Sequence, residues 1–242
     1  MKTRHYISLA LAALILVGSF LLPNAVAGIL DLRRLDSLML IDSQAISFDA
    51  VPELSLAERI SLAGRSNTDV LPLNTGNNLS SETAAINAAE ETMRFFANGP
   101  FELIYDDLTF GDGLVSLIID GADPTRYMIV WEFDMLDSLG NSVSIILDDE
   151  TGKIVRLIYR MGNRDGTLLG PERALTNDEM FYTAALHLSE MMAAYFGKNV
   201  TLADYHFSGT LSYYRADISE NGQTIPTYGV IRPASFTMNE RV

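Results

Sequence analysis

Between Ser142 and Arg160 the chain reads SVSIILDDETGKIVRLIYR, two apolar runs interrupted by three acids and a Thr-Gly-Lys. No other stretch limits the fold so strongly. Val143, Ile145 and Leu147 recur with period two, as side chains on one face of a strand do. The run before it, RYMIVWEFD, also alternates, with Tyr127, Ile129, Trp131 and Phe133 on one face. FELIYDD and LVSLIID have the same strand character. Short strands following one another across turn residues predict an antiparallel meander, because antiparallel neighbours can be joined by a tight reversal.

The DDETGK stretch falls where such a reversal is needed. Asp148 can accept hydrogen bonds from amides further round the turn, Thr151 and Gly152 follow, and Gly152 tolerates positive φ. Lys153 then opens the returning strand. Three site readings fit less well. A P-loop needs a glycine five residues before Gly152, where Leu147 stands. An aspartic-protease motif would read Asp-Thr-Gly, but Glu150 precedes Thr151 and there is no second copy. A calcium loop needs alternating oxygen ligands over a dozen residues and a closing acid, which DDETGKIVRLIY lacks. The stretch reads as a hairpin turn.

Helical spacing appears twice. Ile86, Ala89, Met93, Phe96 and Ala97 form an apolar stripe that stops near Asn98-Gly99-Pro100. Thr176 and Glu179 are spaced as a capping box. They precede a second stripe of Phe181, Ala184, Ala185, Leu188, Met192, Tyr195 and Phe196, which ends at Gly197. TLADYHF, TLSYYRADI and TIPTYGVI follow as strands, with Asn221-Gly222 between the last two as a hairpin signal. The expected fold is α+β, with two helix-plus-antiparallel-meander units over residues 81–162 and, in degenerate form, 176–242. The recurring order is read either as a duplication or as two unrelated units.

The N-terminus carries a different message. Lys2 and Arg4 precede an uncharged run from Tyr6 to Leu30. A bilayer-spanning helix needs about 20 apolar residues, and the basic end would stay in the cytoplasm. Residues 1–30 are thus expected to be a signal anchor with the rest of the chain outside. Alternatively they are a signal peptide, cleaved near Ala27 in NAVA, which leaves the protein secreted. Residues 31–80 read as a juxtamembrane segment and linker. Within them Ser55 and Glu58 have capping-box spacing, Gly64 closes a short helix, and Arg65 to Ser81 is rich in Asn, Ser, Thr and Gly.

Charge and composition exclude several functions. All 31 acids lie after Leu30, whereas two of the 17 bases precede it, so the remainder carries −16. Such a surface repels phosphate backbones, so nucleic acid is not an expected partner. Cysteine is absent, which removes thiol catalysis, disulfides and Cys-based zinc sites. His187 and His206 could form a two-histidine metal site, but isolated histidines are more often structural. Asp106, Asp107 and Asp112, and then Asp120 with Asp123, cluster in sequences that read as hairpin turns, the alternative being a secreted hydrolase that uses such acid pairs; a small-ligand-binding module on the concave face of a sheet is a third reading. Tyr205, Phe207, Tyr213, Tyr214 and Tyr228 suit cross-strand pairs or a binding face. No catalytic residue, cofactor or metal ligand is assigned.

A helix, then strands, then WEFD…GNSVSIILDDETGKI resembles the PepSY-type domain of bacterial extracytoplasmic proteins. Asp148, Thr151, Gly152, Lys153 and Ile154 match that family's closing pattern. The resemblance covers about Ser81 to Arg160, and more loosely Thr176 to Met238, where SENGQ replaces the Thr-Gly turn. It implies a noncatalytic module, often membrane-tethered, that restrains or regulates peptidases and other cell-envelope proteins. The expected partner is therefore a cell-envelope protein such as a peptidase or sensor, with the membrane contacted through the N-terminal helix.

Overall fold

Strands made in succession leave free edges whose amides and carbonyls must find partners. The computed structural model describes residues 53–97, 99–101, 103, 107–162 and 176–240, and it gathers every strand among them into one sheet. In chain order the elements are α1 (Leu56–Gly64), β1 (Thr68–Pro72), α2 (Ser81–Phe96), β2 (Thr109–Phe110), β3 (Leu114–Asp120), β4 (Tyr127–Leu136), β5 (Ser142–Asp148) and β6 (Ile154–Arg160). Then come α3 (Asn177–Phe196), β7 (Asn199–Ser208), β8 (Leu211–Glu220), β9 (Gln223–Arg232) and β10 (Ser235–Met238). The sheet runs β1-β3-β4-β5-β6-β10-β9-β8-β7, with β2 paired to β4 beside this path.

This arrangement overturns the expectation of two helix-plus-meander units. Leu157–Arg160 of β6 pair antiparallel with Ser235–Met238 of β10. That pairing fuses the strands on either side of α3 into a ten-stranded sheet carrying three helices. The reason is physical: each set of strands ends on an open edge, and joining the edges satisfies both backbones at once. The junction also buries Tyr159 against Phe236, with ring centroids 5.2 Å apart. Part of the expected linker is likewise strand, since Thr68–Pro72 pairs with Ser116–Asp120.

α2 and α3 lie together on one face of the sheet. Phe95 of α2 meets Tyr195 of α3 edge-on at 5.5 Å, and Phe96 reaches Tyr159 at 5.4 Å and Phe236 at 6.2 Å. Further along, Phe181 of α3 packs on Phe207 of β7. Every residue of the stripe predicted for α3 is buried. α2 differs. Its buried side is Ala84, Ala88, Glu91, Thr92, Phe95 and Phe96, while Ile86 and Met93 are 54 % and 45 % exposed. The two alanines admit close approach of the helix, and the polar pair finds partners inside, so hydrophobicity alone misplaces the face.

α1 packs against β3, β6, β8 and β9. Ser55 and Glu58 close its capping box, and Thr176 with Glu179 do the same for α3. Asn239, just beyond β10, holds α1 in place. Its side-chain amide donates to the carbonyls of Ile60 (2.6 Å) and Val155 (2.8 Å), while its oxygen accepts from Thr227 Oγ1. Among the described residues no helix is long and apolar enough to cross a membrane. The expected span at Tyr6 to Leu30 lies outside the described residues.

Candidate functional site

The acidic turn lies between β5 and β6. Gly152 N donates to Asp148 O and Asp148 N to Lys153 O, both at 2.9 Å, and Gly152 has φ +64. Asp148 accepts from Thr151 N (2.9 Å) and Thr151 Oγ1 (2.6 Å), which sets the turn from within.

The turn's side chains then reach three other regions of the chain. Asp148 is fully buried and pairs at 3.0 Å with Arg59 of α1, itself buried. Burial pushes the Asp148 carboxyl up, against the lowering effects of Thr151 and Arg59. Arg59 also bonds Glu150 and, through Nε, the Leu54 carbonyl. Asp149, 2 % exposed, accepts from the backbone amides of Asn77 (3.0 Å), Asn78 (2.6 Å) and Leu79 (3.2 Å), and from Trp131 Nε1 (2.8 Å). Gly76 is what lets that loop come so close: a Cβ there would stand 2.4 Å from Asp149 Oδ1 and 2.8 Å from Trp131 Nε1.

Lys153 and Ile154 carry the connection to α2 and α3. Lys153 Nζ lies 2.8 Å from Glu91 and 4.9 Å from the centre of the Tyr195 ring. Tyr195 Oη accepts from Ile154 N (2.8 Å) and donates to Glu91 (2.7 Å), and Arg94 pairs with Glu91 as well. Burial raises the Tyr195 hydroxyl far above the ordinary phenol range, so it stays a proton donor to Glu91. Each carboxylate of the turn therefore ends on a donor from elsewhere in the chain. The stretch cross-links all three helices to the sheet.

The other acids and histidines are dispersed. Asp120 is buried and pairs with Arg65, while Asp123 caps its own turn through Thr125 N and Oγ1. Asp107 accepts from Ser138 Oγ and Asp112 is exposed; Asp106 lies outside the described residues. His187 pairs with Glu190 on α3, whereas His206 stands on β7 opposite Tyr213. Among the described residues no three potential metal ligands converge. Asn221 (φ +50) and Gly222 (φ +78) form the tight reversal between β8 and β9.

The sheet face turned away from α2 and α3 is the other candidate. Its cross-strand rows follow from the register. One row reads Leu136, Ser142, Arg160, Ser235, Arg232, and the next reads Asp134, Ser144, Ile158, Thr237. Beyond β10 come Val230, Tyr213 and His206, with Tyr228, Arg215 and Asp204 alongside. Glu132, Asp134, Arg160, Arg232, Tyr213 and Tyr228 are exposed. Among the described residues, neither Arg160 nor Arg232 has an ion-pair partner. The sequence reading did not single out Arg59, Glu91, Arg160 or Arg232. For Arg160 a signal exists, since Arg156, Ile158 and Arg160 alternate in phase within IVRLIYR.

No family model matches this chain, no curated protein does, and no solved structure does. Nothing in these comparisons identifies a PepSY-type domain.

Proposed function

We propose that this protein is an exported, noncatalytic binding module of the cell envelope, held to the membrane by its N-terminal segment and regulating a partner protein such as a peptidase or sensor. One observation carries the reading. A ten-stranded sheet has its helices α2 and α3 on one face, and much of the opposite face bears exposed charged and aromatic side chains with no described element over it. A solvated sheet face is ordinary in antiparallel proteins, but one with Tyr213 and Tyr228 more than a third exposed, on the same face as Arg160 and Arg232, which have no ion-pair partner among the described residues, has the composition of an interface. The acids of the turn support the same reading, because their oxygens are engaged in holding the fold. The uncharged run from Tyr6 to Leu30 behind two bases supports export, and the PepSY-like ending of β5 and β6 supports a regulatory role.

The test is site-specific photocrosslinking in intact cells, with the full chain carrying the probe at Ser142 or Ser235, and at Asn87 on α2 as a control. Adducts with one dominant species from the open-face positions alone are expected. Absence of face-specific adducts, or turnover of a peptide or glycoside by the purified chain, would overturn the reading.

A further inference from the structure

The open face is electrically divided. Glu132 and Asp134 stand on β4, and Asp112 lies just before β3, so one half is acidic. Arg156 and Arg160 on β6 and Arg232 on β9, the last two flanking Ser235 in one row, outnumber the single acid Glu240 beside Arg232, so the part from β6 to β9 is basic on balance. Asp204 on β7 and the Arg215–Asp217 pair on β8 lie beyond it. Glu132, Asp134, Asp112, Arg160 and Arg232 are exposed. The boundary runs parallel to the strands, between β5 and β6.

The geometry points to a second copy of this chain as an occupant of that face. A two-fold axis lying in the interface, parallel to the strands and between β5 and β6, exchanges the two halves. It lays β6 of each copy over β5 of the other, which brings Arg160 beside the partner copy's β4 one row from Asp134, and Arg156 level with Glu132. It lays β9 over β3, which brings Arg232 toward the segment that contains Asp112. A two-fold axis perpendicular to the strands would instead set acid on acid. The charge pattern thus selects one isologous arrangement, and such interfaces must be self-complementary. Leu136 and Ile158 supply apolar contact within the same rows.

Area sets the strength. Six strands at about 4.8 Å spacing and about five residues each at 3.4 Å give roughly 500 Å² per copy. Roughly 1,000 Å² in total lies at the lower limit for a specific interface. Self-association is therefore weak in dilute solution and sensitive to salt, and tethering to a membrane would strengthen it by raising local concentration. This inference rests on the open face being a binding surface, and it names one partner for it.

Analytical ultracentrifugation of the full chain in nonionic detergent, over a micromolar concentration series, tests it. A monomer–dimer equilibrium that weakens with added salt is expected. Arg160→Glu sets an acid against the partner copy's Asp134, and Asp134→Arg sets a base against the partner copy's Arg160. Each variant alone should lose at least about tenfold in self-association, since like charges then face each other. An equimolar mixture should regain it as a heterodimer. A chain that stays monomeric, or a dimer indifferent to both reversals, overturns the inference. Circular dichroism keeps this separate from misfolding, and both sites are exposed. If the open-face crosslinks above capture a different envelope protein and no second copy, self-association is wrong while the binding reading stands. If they capture nothing, both are wrong.

Discussion

Asp149→Ala should be the most damaging single change in the acidic turn. The native carboxylate is nearly inaccessible and serves four donors, three amides of the loop before α2 and the Trp131 indole. A hydrogen bond to a charged group contributes about 1.5–3 kcal/mol net. Asn77 and Asn78 are exposed, so water can replace the acceptor for their amides. Leu79 N and Trp131 Nε1 are less accessible, and losing those two bonds puts the cost at roughly 3–5 kcal/mol. With a urea slope of about 2 kcal/mol per molar, the unfolding midpoint should fall by roughly 1.5–2.5 M. Asp149→Asn keeps one acceptor oxygen and should lose about half as much. Trp131 is the protein's only tryptophan, so its fluorescence reports both the transition and the site. Folded Asp149→Ala should emit at longer wavelength as water reaches the indole. An unchanged midpoint together with unchanged emission would refute the assignment of Asp149 as the anchor of this loop.

Four further outcomes follow from the same contacts. Arg59→Met should cost about 3–5 kcal/mol, because Asp148 is left buried without its cation; Glu150→Ala, at a side chain 40 % exposed, should cost less, and urea denaturation ranks them. Gly152→Val forces a branched side chain to φ +64, with its Cβ 3.4 Å from Asn87 Nδ2, and should lower stability by about 1–3 kcal/mol in the same assay. Tyr195→Phe removes the acceptor for Ile154 N and a donor to Glu91, a loss of about 1–3 kcal/mol that calorimetry should read. On acidification, hydrogen bonds from the Ser55 and Thr176 amides hold Glu58 and Glu179 below the ordinary value of 4.5, so their contribution is present above that value and is lost as pH falls through the lowered pKa. Asp148, raised by burial, acts in the opposite sense, contributing at low pH and losing as pH rises, so the thermal midpoint should drop more gently in acid than the caps alone dictate, and Glu58→Gln with Glu179→Gln should flatten it further.

What this sequence determines by itself is local. The capping boxes at Ser55–Glu58 and Thr176–Glu179 span three residues each, and their chemistry is complete within that span. The positive φ of Gly152, Asn221 and Gly222 belongs to residue types that tolerate it, and the period of two in β4 and β5 marks which side chains share a face. The acidic turn is legible as a reversal for the same reason. Its role as an anchor is not, because its donors come from Arg59, residues 77–79 and Trp131, and no spacing rule connects residues 89 positions apart. The buried face of α2 is decided the same way: Glu91 goes inward because Lys153 and Tyr195 wait there, against its own hydropathy. The sheet is the largest case. Alternation specifies strands and faces but leaves every edge open, and which edges meet is a matter of total burial and satisfied backbone. Only the assembled chain could pair β6 with β10, merge the two sets of strands, and bring Arg160 and Arg232 onto one face around Ser235.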